Sequence, residues 1–449
     1  MTTTLVYGLA VAGRAVADEL VSRGETVLLA DDRREDSHIE FAEKLNCKVQ
    51  FAPSDIEIEK LLHQAQRVVP APGIAESHRL FAVAGRLNKP VESEIELAYC
   101  FEQATKNPRP MVAITGTDGK TTTTLMAAAM INTAGRRAVA VGNTEVPLIS
   151  ALGSDAQAFA VECSSFRLAF TRKFRAKASV WLNLAPDHLD WHASHDSYRA
   201  SKAKIWANLS DTDVAVAPTE DEMITSLAKR CNGRLVSFGK SSGDYHARNG
   251  KLNSPHGEIL AIDQMSRSLP HDVTNALAAA ALVIESGLAD RTEVAEALRT
   301  FVNAPHRIEL VAEDIGVRWY DDSKATSPHA ASAALNSFTS IVLIAGGKNK
   351  NLDLAPMAAY PDRMKAVVAI GKSAPDIVRA FAGVCEVRTA TSMREAVHLA
   401  DSLSSGGDVV LLSPGCTSFD WYNNYGERGV EFKKEVNQLI NSKRRIEAK

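Results

Sequence analysis

Several α/β domains built on largely parallel sheets are what this sequence predicts, on three observations. Short apolar runs alternate with longer amphipathic segments along nearly the whole chain, the rhythm of strand–helix–strand units. Turns rich in glycine and small polar residues follow several of those runs, where parallel sheets bind their ligands. The length, 449 residues, exceeds what one ordinary core organises, so two or three domains are expected.

Composition narrows the class. An apolar fraction of 45% and a charged fraction of 23% fit a soluble globular protein. A formal net charge of -3 gives no reason to expect a nucleic-acid surface. The six cysteines, at 47, 100, 163, 231, 385 and 416, form no CxxC and read as reduced thiols. The first residues look like strand, turn and helix rather than a signal peptide, and no apolar run nears the ~18 residues of a membrane span. A cytoplasmic protein with small-molecule partners, no nucleic acid and no membrane is expected, and a monomer.

The first unit, expected over 1–98, opens with a strand at 5–7, the turn Gly8-Leu9-Ala10-Val11-Ala12-Gly13 and a helix over 14–22. A second strand, 26–30, ends on Asp31 and Asp32. The turn lacks a full GxGxxG, but an acidic pair about 20 residues on suits a nucleotide-binding unit; a plain structural turn stays open. Residues 67–73 read as a strand entering a turn, and the breaker-rich 106–110 connects to a central unit expected over 99–303.

That unit begins with a buried strand, 111–115, leading into Gly116-Thr117-Asp118-Gly119-Lys120-Thr121-Thr122 and a helix. Glycines let backbone N–H groups face phosphate oxygens, Lys120 can bridge the β- and γ-phosphates, and Thr121 can offer its hydroxyl to Mg²⁺. Ile114 stands where the first glycine of GxxxxGK[ST] would be. Glu162, after a small apolar run, is placed to hold Mg²⁺. In the polar cluster 182–190, His188 is a candidate ligand that Asp187 could orient, whereas His192 and His195 read as surface histidines. Lys202, on a helix expected over 197–207, reads as an exposed lysine from spacing alone. A helix over 272–286 closes the unit.

Ala304-Pro305 marks the start of the last unit, expected over 304–449, with strands at 317–320, 340–345, 366–370 and 408–412. Three turns follow strands there: Asp321-Asp322-Ser323-Lys324-Ala325-Thr326, Gly346-Gly347-Lys348-Asn349-Lys350, and the stretch 412–420. Three such turns in one unit point to a binding cleft.

Taken in order, GTDGKTT, ECSSFRL, NLAPDHLDWH, SKAKIW, HDVTNALAA, APHRIE, DDSKAT, GGKNK and LLSPGCTSFDWYNNYGERG resemble the Mur ligase family, and within it the branch that adds D-glutamate. The resemblance implies a Rossmann-like N-terminal domain for a UDP moiety, a central P-loop ATPase and a Rossmann-like C-terminal domain for the amino acid. It implies UDP-N-acetylmuramoyl-L-alanine and D-glutamate as substrates, ATP and Mg²⁺ as cofactors, and a carbamate on Lys202, reversing the bland reading of that residue.

Position by position, Gly116, Thr117, Gly119, Lys120, Thr121 and Thr122 match the ATP-phosphate contacts, Asn275 the adenine contact, and Arg307 and Asp322 other nucleotide contacts. Thr121, Glu162, His188 and Lys202 match the metal site; Lys120, His188 and Lys202 take the catalytic roles. Asp31, Asp32 and Arg33 fall where uracil is met, Asn143 near the muramoyl substrate, Thr326, Lys350, Ser418, Phe419 and Tyr425 around glutamate, and Ser164 and Lys324 at further substrate-binding positions. Asp118 replaces the usual Asn and Tyr425 the usual Phe. Ligation of L-glutamate and a non-catalytic P-loop regulator remain the alternatives; a dehydrogenase would leave GTDGKTT without a task.

Overall fold

The computed structural model describes residues 2–188 and 191–447, so Leu189 and Asp190 of the 182–190 cluster lie outside the described residues. Three sheets order the chain. By contacts they fall into two compact units: one runs to Ser268 and resumes over Asp272–Val302, the other takes Leu269–His271 and the chain from Asn303 on.

The first unit carries two sheets. In the smaller, four parallel strands lie in the order Val49–Phe51, Thr26–Asp31, Thr3–Tyr7, Arg67–Pro70. The crossover helix Val11–Ser22 buries Val16, Ala17 and Leu20 against it. This helix starts three residues before the expected 14, because the turn is tight. Gly8 holds φ +94°, and a Cβ on Gly13 would lie 1.8 Å from the Gly8 carbonyl oxygen. Only glycines permit that approach of helix and strand end.

The larger sheet has nine strands, seven of them parallel from Tyr245–Arg248 through Arg234–Gly239, Val214–Pro218, Ala178–Trp181, Met111–Thr115 and Ala158–Glu162 to Ala138–Gly142. Lys251–Ser254 and Gly257–Ala261 extend one edge in antiparallel fashion. The central strands are buried at every residue, as helices on both faces of a parallel sheet require. Helices Lys120–Thr133 and Pro270–Glu285 share one core with them, and the alanine run 278–281 makes the close packing possible. Where a helix was expected over 197–207, the structure has His195–Ala203 and a 3₁₀ turn, Lys204–Trp206; Ser194 caps the start, its hydroxyl accepting from Ser197 N at 3.1 Å.

The second unit holds one six-stranded sheet, in the order Glu309–Asp314, Val317–Asp321, Val409–Leu412, Ile341–Gly346, Met364–Ile370, Glu386–Ala390. It is parallel except for its first pair. Helix Tyr425–Glu447 seats Phe432, Val436, Leu439 and Ile440 in its core. All six cysteines are free, and among the described residues no helix is long and apolar enough to cross a membrane.

Candidate active site

In the first unit, the buried strand Met111–Thr115 delivers the glycine-rich loop at its carboxyl end, and the helix starting at Lys120 leaves from it. Gly119 adopts φ +78°, and a Cβ there would lie 2.4 Å from Asn275 Oδ1. The loop therefore needs glycine twice over, for conformation and for space. Its peptide groups are held from outside: Asn183 Oδ1 accepts from Thr117 N and Asp118 N, both at 2.9 Å. The Thr117 hydroxyl lies 3.0 Å from the Tyr198 hydroxyl and accepts from Ala185 N at 2.9 Å. Neither Asn183 nor Tyr198 was singled out from sequence; the only sign for Asn183 is a carboxamide directly after a buried run.

Two lysines converge on this loop. Lys120 Nζ donates to the Gly116 and Thr117 carbonyls at 2.8 and 2.7 Å. Lys202 Nζ donates to the same Gly116 oxygen at 2.6 Å. Lys202 is 1% exposed, which corrects the exposed reading from spacing. Its helix turns Tyr198, Ser201 and Lys202 inward as one face. Among the described residues no carboxylate lies within ion-pair distance of it, and its ammonium sits 4.6 Å from the Tyr198 ring centre. Burial, reinforced by repulsion from Lys120, holds its pKa well below the usual lysine value.

The oxygen donors stand alongside. Thr121 Oγ1 donates to Glu162 Oε2 at 2.7 Å, and Glu162 Oε1 accepts from Asn143 Nδ2 at 2.9 Å. A hydroxyl at a helix start and a buried carboxylate at a strand end are the hard donors Mg²⁺ takes. His188, at φ +55°, lies with Nε2 3.2 Å from Asp187 Oδ2 and its ring against Phe166 and Tyr198. Asp187 thus orients it as expected. His188 and Lys202 both border Tyr198, which brings these two together.

His192 is not a surface residue. It is 3% exposed, packed between Phe166, Trp191 and Tyr198, with Nε2 2.9 Å from Ser165 Oγ and Nδ1 3.6 Å from Glu76 Oε2. Burial lowers its pKa to about 4. A polar stretch of sequence concealed an aromatic cage.

In the smaller sheet, Asp31 turns inward, accepting from Leu9 N at 2.6 Å and Arg33 N at 2.8 Å. It shapes the turn that would meet a ligand. Asp32 accepts from the Tyr7 hydroxyl at 2.7 Å and pairs with His78 Nε2 at 3.2 Å, while Arg33 is exposed. Ser164 caps the short helix Ser165–Ala169, its hydroxyl accepting from Arg167 N at 3.3 Å.

The second unit gathers its three post-strand turns at one end of its sheet. Asp322 is buried, accepting from Ser413 Oγ at 2.7 Å and Ile308 N at 3.3 Å. Burial lifts its pKa to about 7 against the opposing charge of Arg307. Gly347, at φ +133°, presses on Thr417, whose carbonyl oxygen would lie 2.2 Å from a Cβ. Lys324 Nζ sits 5.0 Å from the Tyr425 ring centre; Ser418 is buried, Thr326 half-buried, and Lys350 and Phe419 exposed. Beneath them lies Arg428, 1% exposed and missed from sequence. It donates to Ser323 Oγ at 2.9 Å, Ser323 O at 2.8 Å, Cys416 O at 3.1 Å and, at the outer limit, Gly346 O at 3.5 Å. One guanidinium ties all three turns, and burial lowers its pKa to about 10.

Comparison with known proteins shows similarity along nearly the whole chain. Residues 114–283 match the Mur ligase middle domain and 306–416 the Mur ligase, glutamate ligase domain. Over 446 residues the chain is 36% identical to a UDP-N-acetylmuramoylalanine–D-glutamate ligase of Geobacter metallireducens, with 97% of each chain covered. A ligase of the same name from Pelotomaculum thermopropionicum is 36% identical over 454 residues, again 97% of each. Among solved structures, a UDP-N-acetylmuramate–alanine ligase of Thermotoga maritima gives a TM-score of 0.60 at 21% identity, covering 98% of this chain and 100% of that one. A MurF ligase of the same organism, solved with ADP, gives 0.59 at 18% identity over 85% and 92%. These two likenesses concern the fold.

Proposed function

The chain belongs to the Mur ligase family, and we propose that it joins D-glutamate to the L-alanine carboxylate of UDP-N-acetylmuramoyl-L-alanine at the expense of ATP, a step in peptidoglycan precursor synthesis. The observation that carries this is the full-length similarity to ligases of that name, which spans both the phosphate loop and the three turns of the second unit. We assign the UDP substrate to residues 1–98, ATP to 99–303 and the amino acid to 304–449.

A carboxylate oxygen of the substrate attacks the γ-phosphorus of ATP, ADP leaves, and an acyl phosphate forms. The glutamate amine then attacks the acyl carbon; the tetrahedral intermediate expels phosphate and the nitrogen gives up a proton. The first step brings two anions together, so fixed positive charge and N–H groups at the loop must offset their repulsion. Lys120, held over the loop by two carbonyls, supplies one such charge to the β- and γ-phosphates. Asn183 keeps the loop in shape, and Asn275, matched to the adenine contact, lies against Gly119. Thr121 and Glu162, with His188 and Lys202 nearby, would hold Mg²⁺, which supplies Lewis-acid stabilisation of phosphoryl charge.

Lys202 fits a carbamate. Its lowered pKa supports a neutral amine, the form whose nitrogen lone pair can bond the carbon of CO₂, releasing a proton to water. A cation becomes a buried carboxylate equivalent near the other oxygen donors. In the second unit, Lys324, Thr326, Lys350, Ser418, Phe419 and Tyr425 make the glutamate site. Lysines and hydroxyls there suit two carboxylates.

The test is phosphate release by the purified chain with ATP, Mg²⁺ and UDP-N-acetylmuramoyl-L-alanine, against a panel of amino acids. Release with D-glutamate alone, with the product mass, is expected. Preference for L-glutamate or a diamino acid would reassign the amino-acid site; silence with every amino acid would leave a non-catalytic nucleotide binder.

A further inference from the structure

The hydrogen bonds of the first unit run on past the Thr121–Glu162 pair. Asn143, which donates to Glu162, accepts on its own Oδ1 from an Arg167 guanidinium nitrogen at 2.7 Å. Arg167 Nε donates to Glu94 Oε2 at 3.2 Å, and Glu94 Oε1 accepts from Ile149 N at 2.7 Å. Glu162, Arg167 and Glu94 are all buried. The reaction derived above uses neither Glu94 nor Arg167.

Direction is built into this chain of bonds. A carboxamide has an accepting and a donating end of similar size, and its neighbours decide which way it turns. Arginine has donors only, so Arg167 obliges Asn143 to present its oxygen there, and the NH₂ then faces Glu162. The flipped amide would set an oxygen against a carboxylate oxygen with no proton between them. The backbone leaves Asn143 little other freedom: Asn143 N donates to Glu162 O at 2.9 Å, and a Cβ on Gly142 would lie 2.4 Å from that same oxygen. A buried guanidinium needs a counter-charge, and Glu94, on the first turn of helix Glu94–Gln103, supplies it.

We propose that the Glu94–Arg167 pair positions the metal-site carboxylate: by fixing the Asn143 amide it engages one oxygen of Glu162 and leaves the other turned to Thr121. The proposal rests on the reading of Thr121 and Glu162 as ion-holding residues. Glu94 and Arg167 touch no reacting atom and are positioning residues.

The experiment measures Mn²⁺ binding to the full chain in the presence of ADP, by electron paramagnetic resonance, without turnover. In Glu94→Gln/Arg167→Met both buried charges go together, and the glutamine oxygen can still accept from Ile149 N. The expected result is a folded protein with metal-free ADP affinity unchanged and a Mn²⁺ dissociation constant raised about tenfold or more. Arg167→Lys, which keeps charge and a donor, stays within about threefold of the parent. Asn143→Ala weakens Mn²⁺ as the double variant does, and adding it to Arg167→Lys produces no further loss than it does alone. Parent-like Mn²⁺ binding by the folded double variant would overturn the proposal. Should that variant not fold, parent-like Mn²⁺ binding by folded Asn143→Ala would overturn it instead. A parent that binds Mn²⁺ with ADP but ligates no glutamate would refute the ligase reading and leave this one intact.

Discussion

Lys202 in the first compact unit and Arg428 in the second are long cations buried to 1% exposure, and both donate to backbone carbonyls. There the likeness ends. Lys202 makes one short bond and sits beside a second lysine, so loss of its proton relieves both burial and repulsion. Arg428 spreads several donors over three turns and, even lowered to about 10, keeps its charge at neutral pH. A buried lysine can become a nucleophile; a buried arginine can only tie things together. The contrast lies in the choice of cation: one that burial can strip of its proton, and one that keeps it.

The largest effect should follow from removing the lysine. Lys202→Ala should cost about 10²–10³-fold in kcat, with the fold retained, because the anionic oxygen donor that its carbamate offers the metal is gone. A short carboxylate added to the assay should restore part of it, and bicarbonate depletion should slow only the parent. Indifference to both would remove the carbamate, and with it the distinction from arginine.

The arginine should respond differently. Arg428→Lys keeps the charge but cannot reach three turns at once. A loss of about 2 kcal/mol in the stability of the second unit is expected, with glutamate KM raised about tenfold and ATP KM unchanged. Chemical denaturation and steady-state kinetics measure the two. A matching rise in ATP KM would mean that Arg428 does more than tie the turns.

The pH response should also separate the units. His192 is depressed from 6.5 to about 4 by burial, so its contribution is complete above 6.5 and lost as pH falls toward 4. Asp322 is raised from 3.8 to about 7, so its contribution is present at low pH and lost as pH rises through 7. Between about pH 7 and pH 5 the first unit should lose, and the second gain, about 2 kcal/mol each from these groups. Hydrogen exchange reads each unit separately, and His192→Gln and Asp322→Asn should each flatten one arm.

What could be read from sequence follows from where the signal lies. Glycine, lysine and threonine in the phosphate loop are required by local backbone geometry, so Gly116–Thr122 was legible with its strand and helix. The buried runs of the parallel strands were legible too, since both faces are covered. Strand Glu309–Asp314 was not: it is an edge strand of half-buried and exposed residues whose short apolar run, 310–312, is flanked by acidic residues. Lys202, His192, Arg167 and Arg428 are polar residues buried by contacts distant in sequence, and no helical or strand period marks that. Tyr198 four residues before Lys202 was the one local hint of a shared face.

The smallest effect is expected at Tyr425, the residue that replaces the usual Phe. Its ring lies 5.0 Å from Lys324 Nζ, close enough for the ammonium to interact with the ring face. Among the described residues its hydroxyl has no hydrogen-bond partner, so Tyr425→Phe removes an oxygen that nothing here holds and should change glutamate KM by less than about twofold. Tyr425→Leu removes the ring itself; a half-exposed cation–π contact is worth about 0.5–1 kcal/mol, so KM should rise about two- to fivefold. The two variants together test whether Lys324 is oriented by an aromatic face. If Tyr425→Leu leaves glutamate KM as unchanged as Tyr425→Phe does, the ring does not orient Lys324, and the turn alone sets it; an equal rise in both would assign the effect to the hydroxyl.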